Sequence, residues 1–92
     1  MNKNDVVTVV AVTGAEYIGK FVEETAQTYV IKDPYIVTPD GANIGFMPTV
    51  AMTGAPEIPR VEFQKTGVIT IVPTADAVVK EYTKTSSGIV LQ

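Results

Sequence analysis

Residues 6–25 read VVTVVAVTGAEYIGKFVEET, and the use made of their two glycines decides the fold. Gly14, Gly19 and Lys20 have the spacing of a phosphate-binding loop, but Phe21 stands where the magnesium-ligating Ser or Thr belongs. Such a loop also needs a helix behind it, whose N-terminal amides hold the phosphates. After Lys20 the chain reads FVEETAQTYVIK, which runs into Thr, Tyr, Val and Ile and lacks a helical pattern. No apolar strand ending in Asp comes later as a second metal ligand. The glycines read better as parts of a β-hairpin, Gly14 in its turn and Gly19 where the second strand bends sharply.

Outward from that hairpin the same texture continues. Val7, Val9 and Ala11 lie on one face of residues 6–13, and Val6, Thr8, Val10 and Val12 on the other, so the first strand is apolar on both sides. That doubling suits a tightly bent small barrel. Residues 18–25 form a second strand and 28–37 a third, in which Pro34 marks an edge or a bulge. Residues 38–60 hold four of the six prolines and three glycines around the apolar IGFMPTVAM, and read as a long hairpin-like excursion. A strand resumes over 60–72 with a bend at Gly67; PTAD is a tight turn and AVVKEY, 77–82, the last strand. The tail, 84–92, carries a linker-like TSSG ahead of the apolar IVL. No segment has a convincing helical stripe, the nearest being the short and β-branched DAVVKEY.

Composition points the same way. Fifteen Val, eight Ile and twelve Thr stand against a single Leu, Leu91, a balance that favours pleated sheet over helix. Ninety-two residues make one all-β domain, 1–92, with a single core. The absence of Cys and His removes disulfides, thiolate or imidazole metal sites, and Cys- or His-based catalysis. Glu23 and Glu24 are adjacent in a strand and face opposite sides, so they are no carboxylate pair. The expectation is a protein that is not an enzyme and uses no cofactor or metal. A net charge of −3 argues against a broad electrostatic grip on nucleic acid, though it leaves room for a small local site. The first apolar run is too short to span a membrane and lacks a basic leader, which makes a cytoplasmic protein the expectation.

Alternating Val7, Val9 and Ala11, then Gly14 and Gly19 in a G-x-x-x-x-G spacing, then Phe21 and a polar turn into TYVIKD resemble the first motif of the Sm/LSm family of small RNA-binding β-barrels. VITIVPTADAVVKEY is similar in layout to the family's second motif, a strand, a short turn and a final strand. The resemblance covers residues 6–37 and 60–83. The chain departs from the pattern in four places. MNKND is too short for the family's N-terminal helix, and Thr25 and Tyr29 stand where its Asp and Asn shape the base-binding loop. The Arg-Gly pair is replaced within VPTAD, and the 38–60 excursion has no counterpart of that length. Divergent Sm-like chains without the helix also look like those a phage encodes, for which the compartment is the host cytoplasm.

The resemblance implies a small, strongly bent, five-stranded antiparallel sheet or barrel of SH3 type, with the excursion between strands 3 and 4. It also implies a homo-oligomeric ring of roughly five to seven copies, closed by edge-to-edge strand pairing. Its function would be to bind single-stranded RNA or DNA at pore loops, in RNA or DNA processing or chaperoning. Thr25, Ala26, Gln27, Thr28 and Tyr29 would supply one set of loop residues, and Thr74, Ala75 and Asp76, between the last two strands, the other. Gln27 either reads a base edge or caps a turn, and Tyr29 either stacks on a base or starts a core strand. Lys20 and Lys32 read as strand-face charges. Phe46, Met47 and Met52 form either an adhesive patch or packing of the excursion on its own barrel. Two alternatives stay open: a monomeric SH3-like or OB barrel with blocked edges, and a structural or assembly ring, of a phage for example, that binds protein partners and no nucleic acid.

Overall fold

The computed structural model describes residues 1–41, 43–48, 50, 53–55 and 59–87. Its elements are β1 (Val6–Ala11), β2 (Glu16–Glu24), β3 (Thr28–Asp40), β4 (Asn43–Met47), β5 (Arg60–Gln64), β6 (Val68–Pro73) and α1 (Asp76–Ser87). The strands make one antiparallel sheet in the order β4-β3-β2-β1-β6, with β5 also paired to β3. The fold is all-β, as the composition requires, with one helix added.

β1 and β2 are the expected hairpin. Gly14 sits in its turn at φ 92°, a backbone conformation that side chains disfavour, and its N–H donates to the Ala11 carbonyl at 2.9 Å. Gly19 has a different reason. A Cβ there would overlap Ile31 Cγ2 and stand 3.0 Å from the Lys32 carbonyl oxygen, so β3 comes too close for any side chain.

That close approach lies opposite a bulge. Lys20 pairs with Lys32 but Ile18 pairs with Tyr35, so β3 holds one residue more than β2 around Asp33 and Pro34. Asp33 takes φ 50°, and its N–H donates to the Pro59 carbonyl at 3.0 Å. A second bulge lies on β2 at Val22, between the Phe21–Ile31 and Glu23–Val30 pairs. β3 therefore bends and serves two partners along its far edge: β5 pairs with Thr28–Lys32, and β4 with Ile36–Asp40. Pro34 falls in the gap between them, where its missing N–H interrupts no ladder.

Val7, Val9, Phe21 and Ile31 fill the interior of the bent sheet, with Tyr17, Tyr29, Phe63, Val68 and Ile71 packed around them. The second face of β1, Thr8 and Val10, is half-buried and lines an open groove together with Val78 of α1, and Ile18 beside it is buried.

The helix corrects the sequence reading. Residues 77–82 are not the last strand; they belong to α1, which begins with the Val78 and Val79 N–H groups both donating to the Ala75 carbonyl at 2.9 Å. β-branched residues cost a helix only about 0.5 kcal/mol each, and burial of one apolar stripe outweighs that. Val78 and Tyr82, one turn apart, are that stripe, and Tyr82 is fully buried. The last two strands are thus β5 and β6. They are joined by a single 3₁₀ turn, Lys65–Gly67, which breaks the 60–72 run at the expected glycine.

The sheet has six strands where five were expected, since β3 runs on to Asp40 and returns as β4. Within that arm Phe46 packs edge-on against Tyr35, with centroids 6.4 Å apart, and Met47 is half-buried. Met52 lies outside the described residues. Lys84–Ser87, expected as tail, are the last turn of α1, and 88–92 also lie outside the described residues.

Candidate functional site

The β2–β3 turn is built by its own hydroxyls. The Thr25 hydroxyl accepts the N–H of Thr28 at 2.9 Å and that of Gln27 at 3.3 Å, while the Thr25 N–H donates to the Thr28 carbonyl at 2.9 Å. The Thr25 and Thr28 hydroxyls are themselves 2.7 Å apart, and Thr28 is buried. Ala26 and Gln27 stand exposed at the tip. Tyr29 starts a core strand, half-buried against the interior cluster and paired with Phe63.

The β5–β6 connection closes on this turn. The Lys65 N–H donates to the Gln27 carbonyl at 2.9 Å. The Lys65 ammonium stands 5.1 Å from the centre of the Tyr29 ring and 2.6 Å from Glu24 Oε2. One small region thus holds an exposed amide, a ring face and a cation. Glu23 and Glu24 are both exposed, standing opposite Val30 and Tyr29 in the ladder.

Thr74 and Asp76 lie elsewhere, which is a correction. With 77–82 helical, they belong to the β6–α1 junction and do not link two strands. The Thr74 hydroxyl is 2.8 Å from that of Thr8, and the Thr74 N–H donates to the Val6 carbonyl at 3.3 Å. Asp76 occupies the first turn of α1, where a carboxylate complements the positive end of the helix. VPTAD itself carries no cation, while Lys65 of the β5–β6 connection stands beside the β2–β3 turn. Sequence reasoning passes over it because RVEFQKTGVITIV reads as one strand, although Gly67 marks the break.

Two further features belong to the surface. An open groove of about 720 Å³ runs between α1 and the β3–β4 arm, lined by Val10, Ile18, Val37, Ile44 and Val78, with Glu16 as its charged residue. β5 and β6 each pair on one side only among the described residues, and Ile69 on β6 is 63% exposed. Lys20, a strand-face charge as expected, stands 3.6 Å from the Asp33 carboxylate. Among the described residues no group of three or more acidic side chains is placed to hold a metal ion, and no helix is long and apolar enough to cross a membrane. No family model matches the chain, and no curated protein matches its sequence.

Proposed function

We propose that the protein is an Sm-like small barrel that assembles into a homo-oligomeric ring and binds single-stranded nucleic acid, RNA foremost. The binding site of this reading is the β2–β3 turn together with the β5–β6 connection. The observation that carries it is the bond from the Lys65 N–H to the Gln27 carbonyl, which holds the two loops as one surface. In that surface the Gln27 amide reaches a base edge, and Lys65, held over the half-buried Tyr29 ring, offers a point charge to a phosphate. Thr74 and Asp76 have no part in it. A cytoplasmic setting, the host's for a phage-encoded chain, and a role in RNA or DNA processing go with this reading.

Assembly is supported by the sheet's ends. Pairing β6 of one copy with β5 of the next is a heterologous contact, which closes into a ring when the rotation permits. The exposed apolar Ile69 and Val72 on β6 would be covered by it.

A second reading has its own support. The net charge of −3 and the apolar groove beside α1 favour a structural or assembly ring that binds protein and no nucleic acid.

Light scattering gives the mass in solution, and titration of labelled oligouridine and oligoadenosine at low and moderate salt separates the two readings. A ring that binds either oligonucleotide, less tightly after Gln27→Ala with unchanged mass, supports the first. A ring that binds neither at low salt leaves the second. A monomer removes the ring from both.

A further inference from the structure

Glu24 and Lys65 form the closest ion pair among the described residues, at 2.6 Å against 3.6 Å for Lys20–Asp33 and 3.8 Å for Lys84–Glu81. They are 41 positions apart and belong to different strands' ends, so the contact is a product of the fold. Its two members are not held alike. Lys65 is anchored by its N–H on Gln27 and by its ammonium over Tyr29, and its side chain is 29% exposed. Glu24 ends β2 beside the turn, and its side chain is 51% exposed. The lysine is the fixed partner and the carboxylate the free one.

A carboxylate oxygen at that distance is chemically what a phosphate oxygen would be in its place: an anionic acceptor in a charge-assisted hydrogen bond. We infer that Glu24 is an internal competitor for the phosphodiester at Lys65, an autoinhibitory contact that lowers the affinity of the loop surface and makes it depend on a phosphate able to displace the carboxylate. This rests on the nucleic-acid reading given above. Part-exposed ion pairs are weak enough to be exchanged and strong enough to be seen, so removing the competitor is worth about three- to tenfold in affinity, the tenfold end being roughly 1.4 kcal/mol.

The experiment is a double-mutant cycle with a labelled oligouridine at fixed low salt, using the assembled full-length protein. The variants are Glu24→Gln, Lys65→Met, which removes the charge and keeps an apolar side chain of similar length, and both together; Glu23→Gln is the neighbouring-charge control. Equal melting curves and masses show that each variant is folded and assembled. Glu24→Gln is expected to tighten binding three- to tenfold, Lys65→Met to weaken it, and Glu24→Gln to add nothing once Lys65 is gone. An equal gain from Glu24→Gln in the Lys65→Met background, or from Glu23→Gln, means that the carboxylate merely repels the strand. That result overturns the inference and leaves the nucleic-acid reading standing, as does a Glu24→Gln variant that binds no tighter than the parent. Failure of both the parent and Glu24→Gln to bind at low salt removes the nucleic-acid reading itself, and the competitor with it.

Discussion

The Tyr82 hydroxyl donates a 2.8 Å hydrogen bond to the Asp33 carbonyl, 49 positions away, and so ties α1 to the bulge of β3. The ring around that hydroxyl is equally well placed: Tyr35 meets it edge-on with centroids 5.7 Å apart, and Phe46 meets Tyr35 in turn. Tyr82 therefore anchors the helix at the place where β3 changes partners.

Removing the hydroxyl and removing the ring should separate by magnitude. Tyr82→Phe leaves the Asp33 carbonyl without this donor and should cost about 1 kcal/mol. Tyr82→Ala empties a buried aromatic site and should cost about 3–5 kcal/mol. Urea unfolding of the two variants measures both, and a Tyr82→Ala cost below that of Tyr82→Phe would contradict the seating role.

The same burial sets an alkaline limit. Burial first, and the nearby Asp33 charge second, push the Tyr82 hydroxyl well above its ordinary value of 10.0. Above that pH the unfolded chain loses a proton that the folded chain keeps, so the folded state binds the more protons and stability falls as pH rises. The contribution is intact below about pH 10 and declines above it. Tyr82→Phe should flatten the decline in urea midpoints between neutral and strongly alkaline pH. Phenolate absorbance should lose its latest-rising step in the same variant.

Gly14 and Gly19 should fail for different reasons when changed to Ala. At Gly14 there is open space but φ is 92°, so the cost is conformational, about 1 kcal/mol. At Gly19 the added methyl meets Ile31 and the β3 backbone, an overpacking cost of about 1–3 kcal/mol. Thermal melts rank them. Gly14→Ala as the more damaging of the two would mean that the close approach of β3 is soft.

Ile69 tests the edge of β6. It is exposed in the single chain, so Ile69→Lys should change stability by no more than about 0.5 kcal/mol. In a ring closed through β6 it buries a charge at the contact, and the mass by light scattering should drop towards one chain. An unchanged oligomer would place the contact elsewhere.

Residues whose role is local are legible in the sequence. Gly14 must turn, Gly67 lies where a strand breaks, and Pro34 can lie only where no ladder needs its N–H, so each announces its place. Thr25 likewise stabilises the turn that its type suits. Gly19 reads as a bend, while its true constraint is the distance to Ile31, a residue twelve positions away. α1 is illegible because its reason is tertiary: Val78, Val79, Thr83 and Thr85 favour strand by propensity, and Tyr82 makes a helix worthwhile only once Asp33 and Tyr35 are beneath it. With 77–82 helical, the connection between the last two strands is Lys65–Gly67, while Thr74 and Asp76 fall at the start of α1.

β4 and β5 lie end to end along one edge of β3, Met47 beside Ile36 and Arg60 beside Lys32. Each strand holds its own stretch of β3, Ile36–Asp40 for β4 and Thr28–Lys32 for β5, with the three residues Asp33–Tyr35 between. The edge is therefore modular: a slip of β4 along Ile36–Asp40 leaves the register of β5 untouched.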